Sequence, residues 1–132
     1  MAVLVDNRAK WVAHRPKRYE YWQRDWCFCF SVLTSRFGTR LLVIHDQRLV
    51  SATDTIRQQI DTAYMKAVGR KAWGIDALFV AVAAGIRDTT LDQVRVTYDA
   101  TDGYPVAIIF DRWVMATDDE SEITVSHFRA IP

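Results

Sequence analysis

The stretch Val94 to Asp111, VRVTYDATDGYPVAIIFD, constrains the fold more than any other part of the chain. Val94, Val96 and Tyr98 alternate with Arg95, Thr97 and Asp99, the period of two that marks a half-buried strand. Gly103-Tyr104-Pro105 breaks the run, and Val106 to Phe110 is apolar over the length of a buried strand. Two strands joined by a tight loop form an antiparallel hairpin, and the remaining elements must cover it.

The chain has 132 residues, a single domain in which roughly 65–70% of the unfolded surface is buried on folding. Five Trp, five Tyr and six Phe suit a core built on a sheet. A net charge of +1 conceals an asymmetry: residues 1–50 carry nine Lys or Arg against four acids, and residues 101–132 carry two against six. Either the two ends form a basic and an acidic contact face, or they are neighbours that neutralise each other. No apolar run approaches the ~18 residues of a membrane span. Met1 to Val5 is too short for the core of a signal peptide. The expected location is the cytoplasm as the sequence stands, or an exported or lipid-anchored state where a leader has been removed.

In chain order, Asp6 or Asn7 is positioned to cap a first helix that runs towards Ala13 and ends at Arg15-Pro16, with Trp11 as its anchor. Lys17 to Leu33 reads as a long strand. Tyr19 and Tyr21 share one face, joined by Cys27 and Cys29 if the register is unbroken; Trp22, Trp26, Phe28 and Phe30 occupy the other. Apolar residues on both faces predict a central position in the sheet, and Gln23-Arg24-Asp25 predicts a bulge or bend. Arg40 to His45 and Arg48 to Ala52 form a second hairpin closed at Asp46-Gln47, without the glycine that a two-residue loop prefers. Ile56, Ile60, Ala63/Tyr64 and Ala67/Val68 repeat at helical spacing, capped by Asp54 or Thr55 and stopped by Gly69. A further helix starts at Gly74 or Asp76 and buries Leu78, Phe79, Val82 and Ile86. Ile123 to Phe128 is the last strand, after the acidic loop Asp118-Asp119-Glu120. The expected fold is α+β: an antiparallel meander or hairpin sheet of about five to six strands with two or three helices on one face.

Several ordered motifs resemble one family. Tyr19-x-Tyr21, Cys27-Phe28-Cys29 and the valine-rich hairpin with Asp46 at its turn are similar to the N-terminal half of the bacterial DUF6174 domains. Ile75-Asp76-x-Leu78-Phe79 resembles their helix start. Val94-x-Val96-x-Tyr98-Asp99, followed by Gly103-Tyr104-Pro105 and Asp111, resembles their most recognisable signature, and Asp118-Asp119-Glu120 their C-terminal end. The resemblance spans residues 11–128 and implies no activity, since the family has none assigned. It implies small exported or lipid-anchored bacterial proteins. Gln47 stands where a turn glycine is usual, Gly74 where a Thr or Ser cap is common, and Ile56 to Val68 is more helical than the family's middle.

Four groups of residues have chemical potential. Cys27 and Cys29 point the same way about 7 Å apart on an extended strand, at the limit of disulfide geometry. They read as buried thiols, a structural disulfide, or a redox or metal pair. His14, His45 and His127 are too scattered to complete a zinc site. Asp99, Asp102, Asp111, Asp118, Asp119, Glu120 and Glu122 would suit a hard cation if they converge on one end of the last meander, but no calcium-loop motif is present. Tyr98, Asp99, Gly103, Tyr104 and Pro105 read either as a turn, in which Pro105 starts an edge strand, or as a recognition loop. Trp11, His14, Arg15, Lys17, Arg18, Tyr19, Tyr21, Trp22 and Arg24 interleave base and aromatic as single-strand nucleic-acid binders do. A pI near 7.8 nevertheless sits below that of such domains, so nucleic acid is not expected.

No nucleophile elbow, zinc-protease, P-loop or dinucleotide motif occurs. The expected function is a non-enzymatic protein-interaction module of bacterial or phage origin that presents a sheet face or the Asp99–Pro105 loop. It needs no cofactor and is open to homodimerisation; Tyr98, Asp99, Gly103, Tyr104, Pro105, Asp111, Asp118 and Glu120 are the candidate binding residues. The alternatives are a small enzyme or metal protein using the carboxylates, and a redox-responsive protein using Cys27 and Cys29.

Overall fold

In a computed structural model of the chain, residues 1–27, 38–68, 74–112 and 120–132 are described, with the side chains of Cys27, Ala67 and Val68 excepted. The elements are α1 (Ala2–His14), β1 (Arg18–Cys27), β2 (Gly38–His45), β3 (Arg48–Asp54), β4 (Gln59–Ile60), α2 (Thr62–Val68), α3 (Ile75–Arg87), β5 (Gln93–Tyr98), β6 (Pro105–Asp111) and β7 (Glu120–Ala130). Among the described residues the sheet has seven strands, not five to six, in the order β4-β3-β2-β1-β7-β6-β5, every neighbouring pair antiparallel. It is thus two meanders joined where the first strand pairs with the last. β1 is the middle strand, as its two apolar faces predict. The Val94–Asp111 hairpin forms one end of the sheet, and β6 lies between two strands. Pro105 therefore begins an interior strand, tolerated at its first residue, where the ladder with β5 shifts.

The helices share one face. Trp11 of α1 meets Tyr19 and Phe128 edge-on, Phe79 of α3 stacks on Tyr98, and Tyr64 of α2 lies under Arg40. Tyr19, Tyr21, Leu42, Ile44, Ala52, Ile75, Leu78, Phe79, Val82, Ile108 and Val125 form the core between the layers.

Local readings fail where packing or a side chain's hydrogen bond overrides the periodicity. α1 starts at Ala2 with Met1 at its N-cap, not at Asp6 or Asn7; Leu4 and Trp11, two turns apart, both reach the core, and Asn7 bonds back to the Val3 carbonyl inside the helix (2.8 Å). The expected helix over Ile56–Val68 is interrupted. Asp54 accepts the Ile56 and Arg57 N–H groups (2.9 and 3.0 Å) and closes a turn, leaving Ile56 91% exposed. Asp61 then caps α2 through the Tyr64 N–H (2.9 Å). Between them lies β4, the seventh strand. Gln23-Arg24-Asp25 contains no bend, and its ladder with β2 is unbroken. In α3, Ile86 is 42% exposed and Gly85 takes its place against the sheet, where a Cβ would come within 2.7 Å of the Phe110 ring. The last strand extends to Glu120 and Ala130. Phe28, Cys29, Phe30, Gly69, Asp118 and Asp119 lie outside the described residues.

The β2–β3 turn does without glycine by placing both Asp46 (φ 50°) and Gln47 (φ 66°) in the left-handed region, the geometry that matches strand twist. That conformation costs a side-chain-bearing residue ~1–2 kcal/mol, against ~0.5–1 kcal/mol of extra entropy loss for glycine. Gln47→Gly is therefore expected to stabilise the fold by about 0.5–1 kcal/mol, read as a higher urea midpoint at unchanged slope.

Candidate interaction face

With the helices on one side, no helix among the described residues covers the other side of the sheet. Even-numbered residues of β1 point there: Glu20, Trp22, Arg24 and Trp26. Their cross-strand neighbours are Val43, Leu41 and Thr39 from β2, and Ser126, Thr124 and Glu122 from β7. Trp22 is 37% exposed at the middle of the middle strand.

A bulge in β7 builds the centre of this face. The β1–β7 register shifts between Glu20 and Trp22, and His127 takes up φ 55° there. The extra residue changes the parity of β7. Val125 and Phe128, three apart, both face the core, while Ser126 and His127 both face outward. His127 lies on Trp22 with ring centroids 4.1 Å apart and planes 28° from parallel, and its Nδ1 is 3.1 Å from the Ser126 hydroxyl. Next along β1, the Arg24 guanidinium lies over the Trp26 ring at 5.5 Å. On the other side of Trp22, Glu20 is ion-paired with Arg129. The result is a flat patch of two indoles, an imidazole and a guanidinium rimmed by Thr39, Thr124 and Ser126.

Of the basic and aromatic run picked out from the sequence, Trp22 and Arg24 lie on this face; the described candidate binding residues lie away from the Trp22–His127 stack. Asp99 accepts the Thr101 and Asp102 N–H groups (3.1 and 2.7 Å), and its own N–H donates to the Tyr104 carbonyl (2.8 Å). Gly103 (φ 80°) is buried against the Asn7 carbonyl and Lys10 of α1, with no room for a Cβ. Tyr104 stacks on Phe128 at 4.8 Å, Pro105 is buried, and Tyr98 packs on Phe79. The loop is a turn docked under α1. Burial first, and then Asp99 and Asp102, push the Tyr104 hydroxyl above its ordinary pKa. The carboxylates are divided between the two ends of β6, about 20 Å apart at ~3.3 Å per residue. Asp99 and Asp102 are at one end; Asp111 and Glu120, direct cross-strand partners, are at the other. Asp111 is buried, and its Oδ1 has no hydrogen-bond partner among the described residues. Glu120 is 3.8 Å from Arg95. Among the described residues no three His, Cys, Asp or Glu side chains come together as a metal site would require. Cys27 ends β1; Cys29 and Asp118 fall outside the described residues.

Gln23-Arg24-Asp25, which reads in sequence as a bulge or a bend, instead holds buried polar contacts, and a second set lies beside it. The Tyr21 hydroxyl donates to Gln23 Oε1 (2.9 Å) and Gln23 Nε2 to both Asp25 oxygens (3.2 and 3.3 Å), while Arg40 Nε donates to Asp61 Oδ2 (3.0 Å). A strictly alternating polar residue on the buried side of β1 was the available signal. Burial pushes Asp61 up, but the Tyr64 N–H and Arg40 outweigh it and hold the carboxyl below the usual range. A groove of about 260 Å³ beside the end of α3, lined by Ala81, Ala84, Gly85, Phe110, Arg112 and Ser121, is smaller than the roughly 300–1,000 Å³ of small-molecule sites.

The profile of a family described as a family of unknown function (DUF6174) matches residues 3–130. The chain belongs to the DUF6174 family. No curated protein and no solved structure matches it. The described motif positions that carry the sequence resemblance serve the fold: Tyr19 and Tyr21 in the core, Asp46 in the left-handed turn, Asp76 bonded to α1, Asp99 and Gly103 in the docked loop. Trp22, Arg24 and His127 lie outside those motifs.

Two outcomes follow. Burial holds the Tyr19 and Tyr21 hydroxyls above the ordinary 10.0, so the stability they confer is complete below pH 10 and is lost as pH rises beyond it. Absorbance titration should show both ionising only as circular dichroism reports unfolding. Trp22→Ala should cost at most about 1 kcal/mol in urea denaturation, whereas Trp11→Ala, in the core at 1% exposure, should cost about 3–5 kcal/mol.

Proposed function

We propose that this DUF6174 domain is a non-enzymatic protein-interaction module whose open sheet face docks a partner protein. The observation that carries this reading is the Trp22–His127 stack, exposed at the middle of the sheet on a rigid strand pair and shaped by a left-handed His127. Trp and Arg dominate binding energy in protein interfaces when they sit at the centre of a patch with a polar rim. Trp22, with Arg24 beside it, has that placement. Among the described residues Arg24 has no carboxylate at ion-pair distance, which favours a partner surface with an apolar knob beside acidic side chains. The docked Asp99–Pro105 turn and the divided carboxylates support the face over the loop as the contact surface.

The test is site-specific photo-crosslinking in the source cell, with the reactive residue at position 22 or at Val80, an exposed helix position on the opposite side. A discrete protein adduct from position 22 and none from position 80 is expected. Loss of a central Trp is worth ~2 kcal/mol or more, so Trp22→Ala should weaken that partner's binding about thirtyfold. Equal labelling at both positions, or none at position 22, would sink the proposal.

A further inference from the structure

The two edges of the sheet are guarded unequally. One is β4, two residues long, beside a turn that Asp54 closes. Short edges of this kind resist pairing with other chains. The other is β5, six residues QVRVTY with Arg95 as its one charge and no proline. It alternates exposed Gln93, Arg95 and Thr97 with half-buried Val94, Val96 and Tyr98, and it pairs with β6 on one side only. Its outer row of N–H and C=O groups has no strand beyond it among the described residues. Sequence patterning marks β5 as a strand but does not say that it is an edge; the topology does.

A second copy of the same strand fits this edge, and the side chains choose the register. Across a two-fold axis normal to the sheet, residues directly opposite must share a face, so the axis passes through a residue and not between two. An axis at Arg95 sets two guanidinium groups against each other, which is unfavourable. An axis at Thr97 leaves only Val96 to Tyr98 within the strands. An axis at Val96 engages Val94 to Tyr98 of both copies: Val96 meets Val96 of the second copy, Val94 meets Tyr98, and Arg95 meets Thr97. The apolar row below the edge then continues from one core towards the other, and no like charges oppose. We infer that this domain self-associates through antiparallel pairing of β5 with β5 of a second copy, in the Val96-centred register, with one sheet running through both. About four to six main-chain hydrogen bonds and two short rows of side chains make a small interface, hence a weak, concentration-dependent dimer. The edge lies apart from the Trp22 face, so the inference stands independently of the reading above.

Sedimentation velocity over roughly 10 µM to 1 mM, a range suited to so small an interface, tests it. The expected result is a shift from the 15.2 kDa monomer towards twice that mass. Thr97→Arg should weaken association about tenfold by setting two Arg pairs in opposition, and Thr97→Glu should tighten it about tenfold by facing Arg95. Adding Arg95→Glu to Thr97→Arg should restore wild-type association. The tightening and the restoration are outcomes that misfolding does not produce, and Trp22→Ala should leave association unchanged. A monomer at every concentration, a dimer indifferent to all three charge changes, or a dimer lost on Trp22→Ala would overturn the inference.

Discussion

Tyr19 is the point at which the layers of this protein meet. Its ring lies edge-on to Trp11 of α1, tilts against Phe128 of β7 and stacks on Tyr21. Its cross-strand partner is Ile44 of β2. Its hydroxyl accepts the Ile75 N–H (3.0 Å) and thereby caps the N-terminus of α3 with a side chain from the sheet. Gly74 sits directly against that hydroxyl. The buried oxygen and the buried N–H each need the other, since an unmet group of either kind costs ~1–3 kcal/mol. Asp76, one residue on, receives Trp11 Nε1 (3.3 Å) and Arg15 (2.6 Å) from α1. Five elements separated in sequence are thus tied within a few residues of one side chain.

The same strand pair that buries Tyr19 creates the open face. β1 and β7 come from opposite ends of the chain and close the sheet at its centre, so their register determines which side chains reach each surface. The bulge at His127 reconciles two demands. Phe128 must enter the cluster with Trp11, Tyr19 and Tyr104, and Val125 must lie opposite Gln23, yet the two are an odd number of residues apart. One residue in the left-handed region absorbs the difference and lands on Trp22. The geometry of the core is therefore what shapes the exposed patch.

Much of the architecture was legible in the chain. Strand alternation at Val94–Tyr98, the Tyr19/Tyr21 face, the Asp46–Gln47 turn, the Leu78–Phe79–Val82 stripe and the central place of β1 all rest on patterns of two or three and four residues, which local sterics and burial impose directly. The readings that missed each turn on a contact that periodicity does not carry. Asp54 and Asp61 divide an apolar repeat at helical spacing into a turn, a two-residue strand and a short helix, because each carboxylate bonds backbone that a continuous helix would have used. Gly85 displaces Ile86 because the backbone of α3 approaches Phe110 too closely for a side chain. Gln23 and Asp25 look like an interruption when read alone, yet they are hydrogen-bonded partners on the covered side of an unbroken strand.

What the sequence determined by itself was the class of fold, the family and the conformations that adjacent residues impose on one another. Which strands are edges and which face the helices leave uncovered among the described residues were decided by the pairing of β1 with β7, two strands about a hundred residues apart in the chain. Periodicity assigns a residue to one of two faces but does not say which face the helices will cover. Trp22 and Arg24 stand out in the sequence only as part of a basic and aromatic run, and His127 only as a scattered histidine; their place on one surface exists only once that long-range pairing and its bulge have formed.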